Sequence, residues 1–153
     1  MKVLLIEDDE FKQRSIELAL RACRPDFLIT SADSLYTATA ALEDGPFDLI
    51  VLDMAIPSHP PMPGQGAPVS FLTGGLDILL ELEARGRVDP CIIITQFPEI
   101  EISEHFYSVD RAARAIRDNL GYNVIECVAY SSDSDTWLEH FTELLNCNGY
   151  SCS

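Results

Sequence analysis

Basic residues are scarce in this chain. Ten lysines and arginines stand against 25 aspartates and glutamates, which gives a formal net charge of −15. Such a surface repels the phosphate backbone of DNA and RNA, so we expect no direct nucleic-acid binding. Candidate partners are instead proteins with basic or neutral surfaces, although solubility alone would also explain the acidity.

Long apolar stretches are missing as well. No run approaches the roughly 18 apolar residues that a membrane span requires. The apolar start of the chain meets acids at residues 7–10 rather than a cleavage site of small residues. We therefore expect a cytoplasmic protein that does not associate with a membrane.

Cysteine is present but does not form a recognisable pattern. The five cysteines are odd in number and scattered, and Cys91 and Cys127 stand inside apolar runs typical of core positions. Cys147 and Cys152 have neither a second cysteine pair nor a nearby histidine. We expect no disulfide framework and no zinc site.

The apolar residues that are present predict a single α/β domain over residues 1–153. Runs rich in β-branched and aliphatic residues predict buried strands at 3–6, 27–30, 48–52, 91–95 and 124–130. Between and after the strands, apolar residues recur at helical spacing, with the fourth helix predicted at 109–120 between Ser108 and Gly121. Strands that alternate with helices indicate a doubly wound, five-stranded parallel sheet covered by helices on both faces.

The helical positions that carry apolar residues are predicted to face the core. They are Phe11, Leu18 and Ala22 in the first helix, Leu35, Ala38 and Leu42 in the second, and Leu76, Leu79, Leu80 and Leu82 in the third. In the fourth helix they are Ala112, Ala115 and Ile116, and in the last Trp137, Leu138, Phe141, Leu144 and Leu145.

Two segments interrupt this regular alternation. Residues 58–73 contain four prolines and show no periodicity, which predicts an inserted loop. Residues 97–107 carry three glutamates, and we interpret them as a surface extension of the fourth helix. Only residues 147–153 follow the last helix, so we expect a stand-alone domain whose output is contact with another protein.

Polar side chains follow three of the predicted strands. Glu7, Asp8 and Asp9 end the first strand, Asp53 ends the third, and Thr95 ends the fourth. Ligands bind at the carboxyl ends of parallel strands in such sheets. Each pair of adjacent carboxylates would repel by about 4 kcal/mol at an effective dielectric near 20. Magnesium is the cation that suits such a site, unless one acid is protonated or some of the acids point to solvent.

These residues resemble a known family, the receiver domains of bacterial two-component response regulators, which have a flavodoxin-like fold. The similar stretches are MKVLLIEDDE at 1–10, FDLIVLDMAIP at 47–57, GGLDIL at 74–79 and IIIT at 92–95. In this resemblance Glu7 and Asp8 match the family's acidic pair, Asp9 is an extra acid, and Asp53 matches the phosphoacceptor.

The resemblance implies transfer of a phosphoryl group to Asp53 from a sensor histidine kinase, a phosphotransfer protein or a small phosphodonor. It implies Mg²⁺ ligated by Asp8, Asp53 and the backbone carbonyl of Ala55, with Glu7 acting through water. Thr95 would donate a hydrogen bond to a phosphoryl oxygen. The family signals rather than catalyses, and its output face is formed by the fourth helix, fifth strand and fifth helix.

The sequence departs from the family at the fifth strand. Receiver domains have a lysine there, followed by proline, and an ungapped alignment puts Val128 and Ala129 at those places. The switch aromatic is replaced by Ile125 in that alignment. A shifted alignment brings Tyr130 near the lysine position and puts Cys127 at the aromatic position. A lost charge-assisted hydrogen bond of this kind is worth roughly 1.5 to 3 kcal/mol.

Two interpretations follow from these departures. Either Asp53 is phosphorylated and the signal passes through altered contacts, or the domain is a pseudo-receiver that binds proteins without phosphorylation. Arg14 is one candidate replacement for the missing lysine, although an arginine at that helical position more often faces water. His59 could add a metal ligand, but a histidine in a proline-rich loop is usually solvated.

Other catalytic classes lack their motifs. Haloacid-dehalogenase-type phosphatases need a second acid two positions after the nucleophilic aspartate, where this chain has Ala55. Neither a G-x-x-x-x-G-K phosphate loop nor a serine nucleophile elbow occurs. We therefore expect no enzymatic activity of these kinds.

Overall fold

A parallel sheet of five strands forms the centre of the computed structural model, which describes residues 1–66, 70–71 and 73–151. Its strands are β1 (Lys2–Ile6), β2 (Leu28–Ala32), β3 (Leu49–Leu52), β6 (Cys91–Thr95) and β9 (Val124–Ala129). They lie in the order β2-β1-β3-β6-β9, and each adjacent pair is parallel. The predicted doubly wound sheet is confirmed.

Five helices cover the two faces of this sheet. They are α1 (Glu10–Cys23), α2 (Leu35–Leu42), α3 (Gly74–Ala84), α4 (Val109–Leu120) and α5 (Thr136–Cys147). Successive side chains of a strand point to opposite faces, so β1 sends Leu5 toward α1 and α5 and Ile6 toward α2, α3 and α4. Every helix within the described residues is too short or too polar to cross a bilayer.

The predicted element boundaries agree with the structure to different degrees. Helix α4 has the predicted bounds, and Gly121 ends it in the left-handed conformation at φ 71°, with its N–H donating to the Arg117 carbonyl 3.0 Å away. Ser108 is the N-cap residue, but its side chain makes no capping hydrogen bond. Strand β2 differs from the prediction of a buried strand, because it is an edge strand and Leu28 is exposed.

The inward face predicted for α1 is wrong. Phe11, Leu18 and Ala22 are exposed, while the buried residues of this helix are Lys12, Ile16, Ala19 and Leu20. The apolar stripe chosen from the sequence borders the groove between α1 and α5 rather than the sheet. The helix is therefore rotated relative to the prediction, and a lysine faces inward. Leu80 of α3 is also predicted to face the core, but it is exposed.

Residues 97–107 do not extend α4, so that interpretation is also wrong. They contain an antiparallel hairpin of β7 (Glu99–Ile102) and β8 (His105–Ser108). Ile100 and Ile102 are buried, whereas Glu99 and Glu101 are exposed. Ser103 and Glu104 both have positive φ, the conformation of a type I′ hairpin turn.

The predicted loop at 58–73 has a short antiparallel ladder at its base. Strand β4 (Ile56–Pro57) pairs with β5 (Ser70–Phe71). Part of this loop lies outside the described residues, as does Cys152. Cys91 and Cys127 are buried core residues, as predicted.

Candidate metal centre

The carboxyl ends of β1 and β3 bring three acids together. The two strands are adjacent and pair Ile6 with Leu52, and the Asp53 N–H donates to the Ile6 carbonyl 3.0 Å away. The residues that follow these strands therefore meet at one edge of the sheet. Carboxylate oxygens of Glu7, Asp8 and Asp53 all lie within 4.8 Å of one another.

Two of these three acids are buried. Glu7 is 2% exposed and Asp53 is 5% exposed, while Asp8 lies at the surface. Burial raises the pKa of Glu7 from 4.5 to about 7, with Lys12 opposing the shift and Asp53 adding to it. Burial also raises the pKa of Asp53, again opposed by Lys12. Both shifts mean that these carboxylates have less compensating positive charge than their burial demands.

Lys12 also belongs to this site, and the sequence analysis does not predict it. Its side chain is buried, and its Nζ lies 2.7 Å from Glu7 Oε2 and 3.1 Å from Asp53 Oδ2. The same ammonium donates a hydrogen bond to the Ile94 carbonyl at 2.9 Å. We use the name acidic pocket for Glu7, Asp8, Asp53 and Lys12 together.

The acid after the matched pair explains how Lys12 reaches the pocket. Asp9 is the N-cap of α1, and its Oδ1 accepts the Lys12 backbone N–H at 2.8 Å. This cap places Lys12 in the first helical turn, directly beside the strand ends. The Asp9 N–H in turn donates to Glu7 Oε1 at 3.1 Å. The extra acid is thus a structural residue that orients both Glu7 and Lys12.

The segment after Asp53 is packed closely against α3. The Met54 N–H donates to Asp53 Oδ1 at 2.7 Å, and the Ala55 N–H also donates to this carboxylate. Gly75 donates its N–H to the Met54 carbonyl at 2.9 Å. A Cβ at Gly75 would lie 2.8 Å from the Asp53 carbonyl oxygen and 2.9 Å from the Met54 Cα, so only glycine permits this approach.

Thr95 ends β6 beside the pocket and is fully buried. Its Oγ1 accepts the Phe97 N–H at 3.2 Å, and its carbonyl accepts the Tyr130 N–H at 2.8 Å. A cavity of about 50 Å³ separates Thr95 and Met54 from the hairpin, where Phe106 forms part of the wall. Thr95 therefore follows Ile94, whose carbonyl accepts from Lys12, and faces the cavity beside the β7–β8 hairpin.

The residues present suit a magnesium ion. Magnesium prefers hard oxygen ligands and is usually held by one or two carboxylates together with water. Glu7, Asp8 and Asp53 supply such oxygens at mutually compatible distances. The carbonyl of Ala55, two residues after Asp53, remains the predicted backbone ligand.

Two other candidates do not join the pocket. Arg14 is exposed on α1, in agreement with the prediction that it faces water. His59 is exposed, contacts Ser58 Oγ at 3.1 Å and stacks against Tyr36. His105 and His140 are also exposed.

Comparison with known proteins places the chain among signalling proteins. Over 146 residues it is 35% identical to the Detocs response regulatory protein DtcB of Vibrio alginolyticus, a match that covers 94% of this chain and 98% of that protein. No protein-family model matches the chain.

Solved structures of response regulators share the fold. The phosphorylated cyanobacterial phytochrome response regulator RcpA has a TM-score of 0.65 at 16% identity, covering 95% of this chain and 91% of its own. TrrA of Thermotoga maritima, in complex with Mg²⁺ and BeF, has a TM-score of 0.55 at 19% identity, covering 94% and 98%. At these identities the solved structures show a common fold alone.

Proposed function

The chain belongs to the receiver family of response regulators, and on that premise we propose that it accepts a phosphoryl group on Asp53 with the help of Mg²⁺. The observation that carries the proposal is the convergence of Glu7, Asp8 and Asp53 within 4.8 Å, with Asp53 almost fully buried. An acidic cluster at two adjacent strand ends suits a metal-assisted phosphoryl transfer better than a structural role, because it costs stability when left without a cation.

Each group at the pocket would have a separate part in the proposed reaction. Magnesium, when bound, would shield the repulsion between the anionic donor and the anionic acceptor. An Asp53 carboxylate oxygen attacks phosphorus, and the donor's leaving group departs with its electron pair. The N–H groups of Met54 and Ala55 orient the Asp53 carboxylate for this attack. The Thr95 hydroxyl would then donate a hydrogen bond to a phosphoryl oxygen.

The states in which two similar proteins were solved support this proposal. RcpA is described as phosphorylated, and TrrA was solved with Mg²⁺ and BeF, a phosphoryl mimic. A sensor histidine kinase or a phosphotransfer protein would supply the phosphoryl group, and the chain would act in the cytoplasm by signalling rather than by catalytic turnover. Direct nucleic-acid binding is disfavoured by the net charge of −15.

The output is proposed to be a protein contact on the face formed by α4, β9 and α5, which we call the output face. A shallow open cavity of about 360 Å³ lies there, with walls from Val109, Cys127, Ala129 and His140. Cys127 holds the place that the shifted alignment assigns to the switch aromatic. The open cavity is consistent with a small residue at that place.

A pseudo-receiver function remains the second candidate, and Lys12 is the observation that favours it. The ammonium contacts Glu7 and Asp53 directly, so it neutralises part of the pocket without any metal. A domain of this kind could keep its fold and bind a partner without phosphorylation.

Intact-mass measurement decides between the two candidates. The protein is incubated with acetyl phosphate, with and without magnesium, beside Asp53→Asn and the control Asp48→Asn. Asp48 is an exposed acid that precedes the same strand. Wild type and Asp48→Asn should gain the mass of one phosphoryl group only with magnesium, and Asp53→Asn should gain none. An unlabelled wild type would establish the pseudo-receiver instead.

A further inference from the structure

The buried ammonium of Lys12 has no part in the reaction described so far. We infer that Lys12 is the residue whose ammonium contacts the phosphoryl group on Asp53, so that helix α1 supplies the cation of the site. The inference rests on the proposed function and deepens it. It assigns to α1 the contact that receiver domains otherwise make from the end of the fifth strand.

Charge balance requires such a cation. Phosphorylation replaces the single negative charge of the Asp53 carboxylate with close to two negative charges on the phosphoryl group, beside the carboxylates of Glu7 and Asp8. Among the described residues, the ion pairs of Asp53 involve Lys12 alone. The chain's other lysine, Lys2, lies at the opposite end of β1, where its Nζ donates to the Asp44 carbonyl at 3.0 Å.

The geometry of the ammonium fits this role. A lysine ammonium has three N–H donors, and Lys12 Nζ donates to the Ile94 carbonyl and lies within ion-pair distance of Glu7 Oε2 and Asp53 Oδ2. Phosphorylation of Asp53 would place phosphoryl oxygens beside the donor that now faces Asp53. The other two contacts can persist, so the ammonium needs no large displacement to make the new one.

The residue after β9 shows why the lysine can come from α1. The Tyr130 ring centroid lies 5.4 Å from Lys12 Nζ, within the range of a cation–π contact. Tyr130 therefore occupies the strand end from which a lysine could reach the same point. For this reason the structure favours the shifted alignment, in which Tyr130 lies near the lysine position. The ammonium lies near that strand end, but it comes from α1 rather than from β9.

The transfer step balances with Lys12 in this role. With acetyl phosphate as donor, an Asp53 oxygen forms the new bond to phosphorus, and the bond between phosphorus and the acetate oxygen breaks. Acetate leaves with the electron pair. Lys12 keeps its proton throughout and acts by offsetting charge on the phosphoryl oxygens.

The test measures the affinity of the protein for beryllofluoride at saturating magnesium. The fluorescence of Trp137 reports the binding. Trp137 is the chain's only tryptophan, and its ring lies 4.9 Å from that of Tyr130. In Lys12→Met this affinity should fall about ten- to hundredfold, the effect of losing one charge-assisted hydrogen bond. Magnesium affinity should be retained or increase, because the ammonium no longer competes for Glu7 and Asp53. Lys2→Met is the matched control and should leave both affinities unchanged.

Two further variants extend the test, and the first of them serves if Lys12→Met folds poorly. Lys12→Arg keeps the positive charge and should retain a folded domain with weakened beryllofluoride binding. The double variant Lys12→Met with Tyr130→Lys returns an ammonium from the end of β9 and should recover most of the lost affinity. Recovery by relocation is a result that a purely structural role for Lys12 would not produce.

The possible outcomes distinguish the role of Lys12 from the phosphorylation of Asp53. Equal beryllofluoride affinity in wild type and folded Lys12→Met, or no recovery in the double variant, would overturn the role of Lys12 while leaving phosphorylation of Asp53 intact. A wild type that neither binds beryllofluoride nor gains mass with acetyl phosphate would overturn the proposed function and this inference together.

Discussion

The acidic pocket and the output face adjoin Thr95, yet they depart from the family pattern in opposite ways. In the pocket the chain lacks the lysine of the fifth strand, but Lys12 on α1 places an ammonium 3.1 Å from Asp53. On the output face Cys127, at the place that the shifted alignment assigns to the switch aromatic, borders an open cavity. The pocket thus has a buried cation supplied by a different element, while the proposed output face has a small residue beside a cavity.

This difference follows from what each region must satisfy. A buried carboxylate cluster has a strict requirement for positive charge, so a lost cation must be replaced from any element within reach. An output face only has to fit its partner, and that fit can change with the partner. The β7–β8 hairpin packs Ile100 and Ile102 into the core beside α4.

The largest effect should come from removing the hairpin's attachment to the core. Ile102 is fully buried, and Ile102→Ala should lower the free energy of unfolding by about 3 to 4 kcal/mol through lost burial and a cavity. Urea denaturation measures this loss. The exposed neighbour Glu101→Ala should change stability by less than about 0.5 kcal/mol. Equal, small effects in both variants would mean that the hairpin is not part of the folded core.

The pocket should show its charge deficit as a pH dependence without metal. The pKa of Glu7 is raised by burial to about 7, so between about pH 4.5 and 7 the folded state binds more protons than the unfolded state. Stability in EDTA should therefore fall as pH rises through this window. The fall should be about 3 kcal/mol, from the cost of ionising the buried group.

Glu7→Gln provides the control for this prediction. It removes this titrating group and should reduce the fall in stability. The raised pKa of Asp53 acts in the same direction. The pKa of Asp89 is lowered instead, by Arg87 and the Phe47 N–H against its burial, so its contribution lies below this window. A wild type that becomes more stable between pH 5 and 7, by the same amount as Glu7→Gln, would contradict the assignment.

The smallest effect should come from the exposed aromatic of the hairpin. Phe106 is 68% exposed, and Phe106→Ala should change the free energy of unfolding by less than about 0.5 kcal/mol. Labelling by acetyl phosphate should change by less than about twofold, because Phe106 makes no contact with the carboxylates among the interactions described. A change in labelling above about tenfold would mean that the pocket and the hairpin act as one unit.

The sequence predicts the sheet well because buried strands and glycine-capped helices have strong local patterns. The predicted bounds of helix α4 and of the five strands of the central sheet agree with the structure to within two residues. The pattern of α1 was ambiguous, since Phe11 and Leu18 form an apolar stripe that is in fact exposed. A helix oriented with that stripe toward the sheet would direct Lys12 away from the pocket.

Lys12 was also missed because lysines are rarely buried. The available signal was Asp9, an N-cap that places the fourth residue after Asp8 in the first turn of α1, close to the acids. The hairpin had a signal too, since Ile100 and Ile102 alternate with glutamates. Its turn residues, Ser103 and Glu104, are not the asparagine and glycine that usually mark such turns.

A crystal structure with magnesium and beryllofluoride would show whether Lys12 contacts the phosphoryl position on Asp53. We expect Asp8 and Asp53 to hold the metal, the beryllofluoride to lie on the Asp53 carboxylate, and the Lys12 ammonium to lie within hydrogen-bond distance of a fluorine atom. Beryllofluoride absent from Asp53, or a Lys12 side chain turned toward solvent, would be the opposite result.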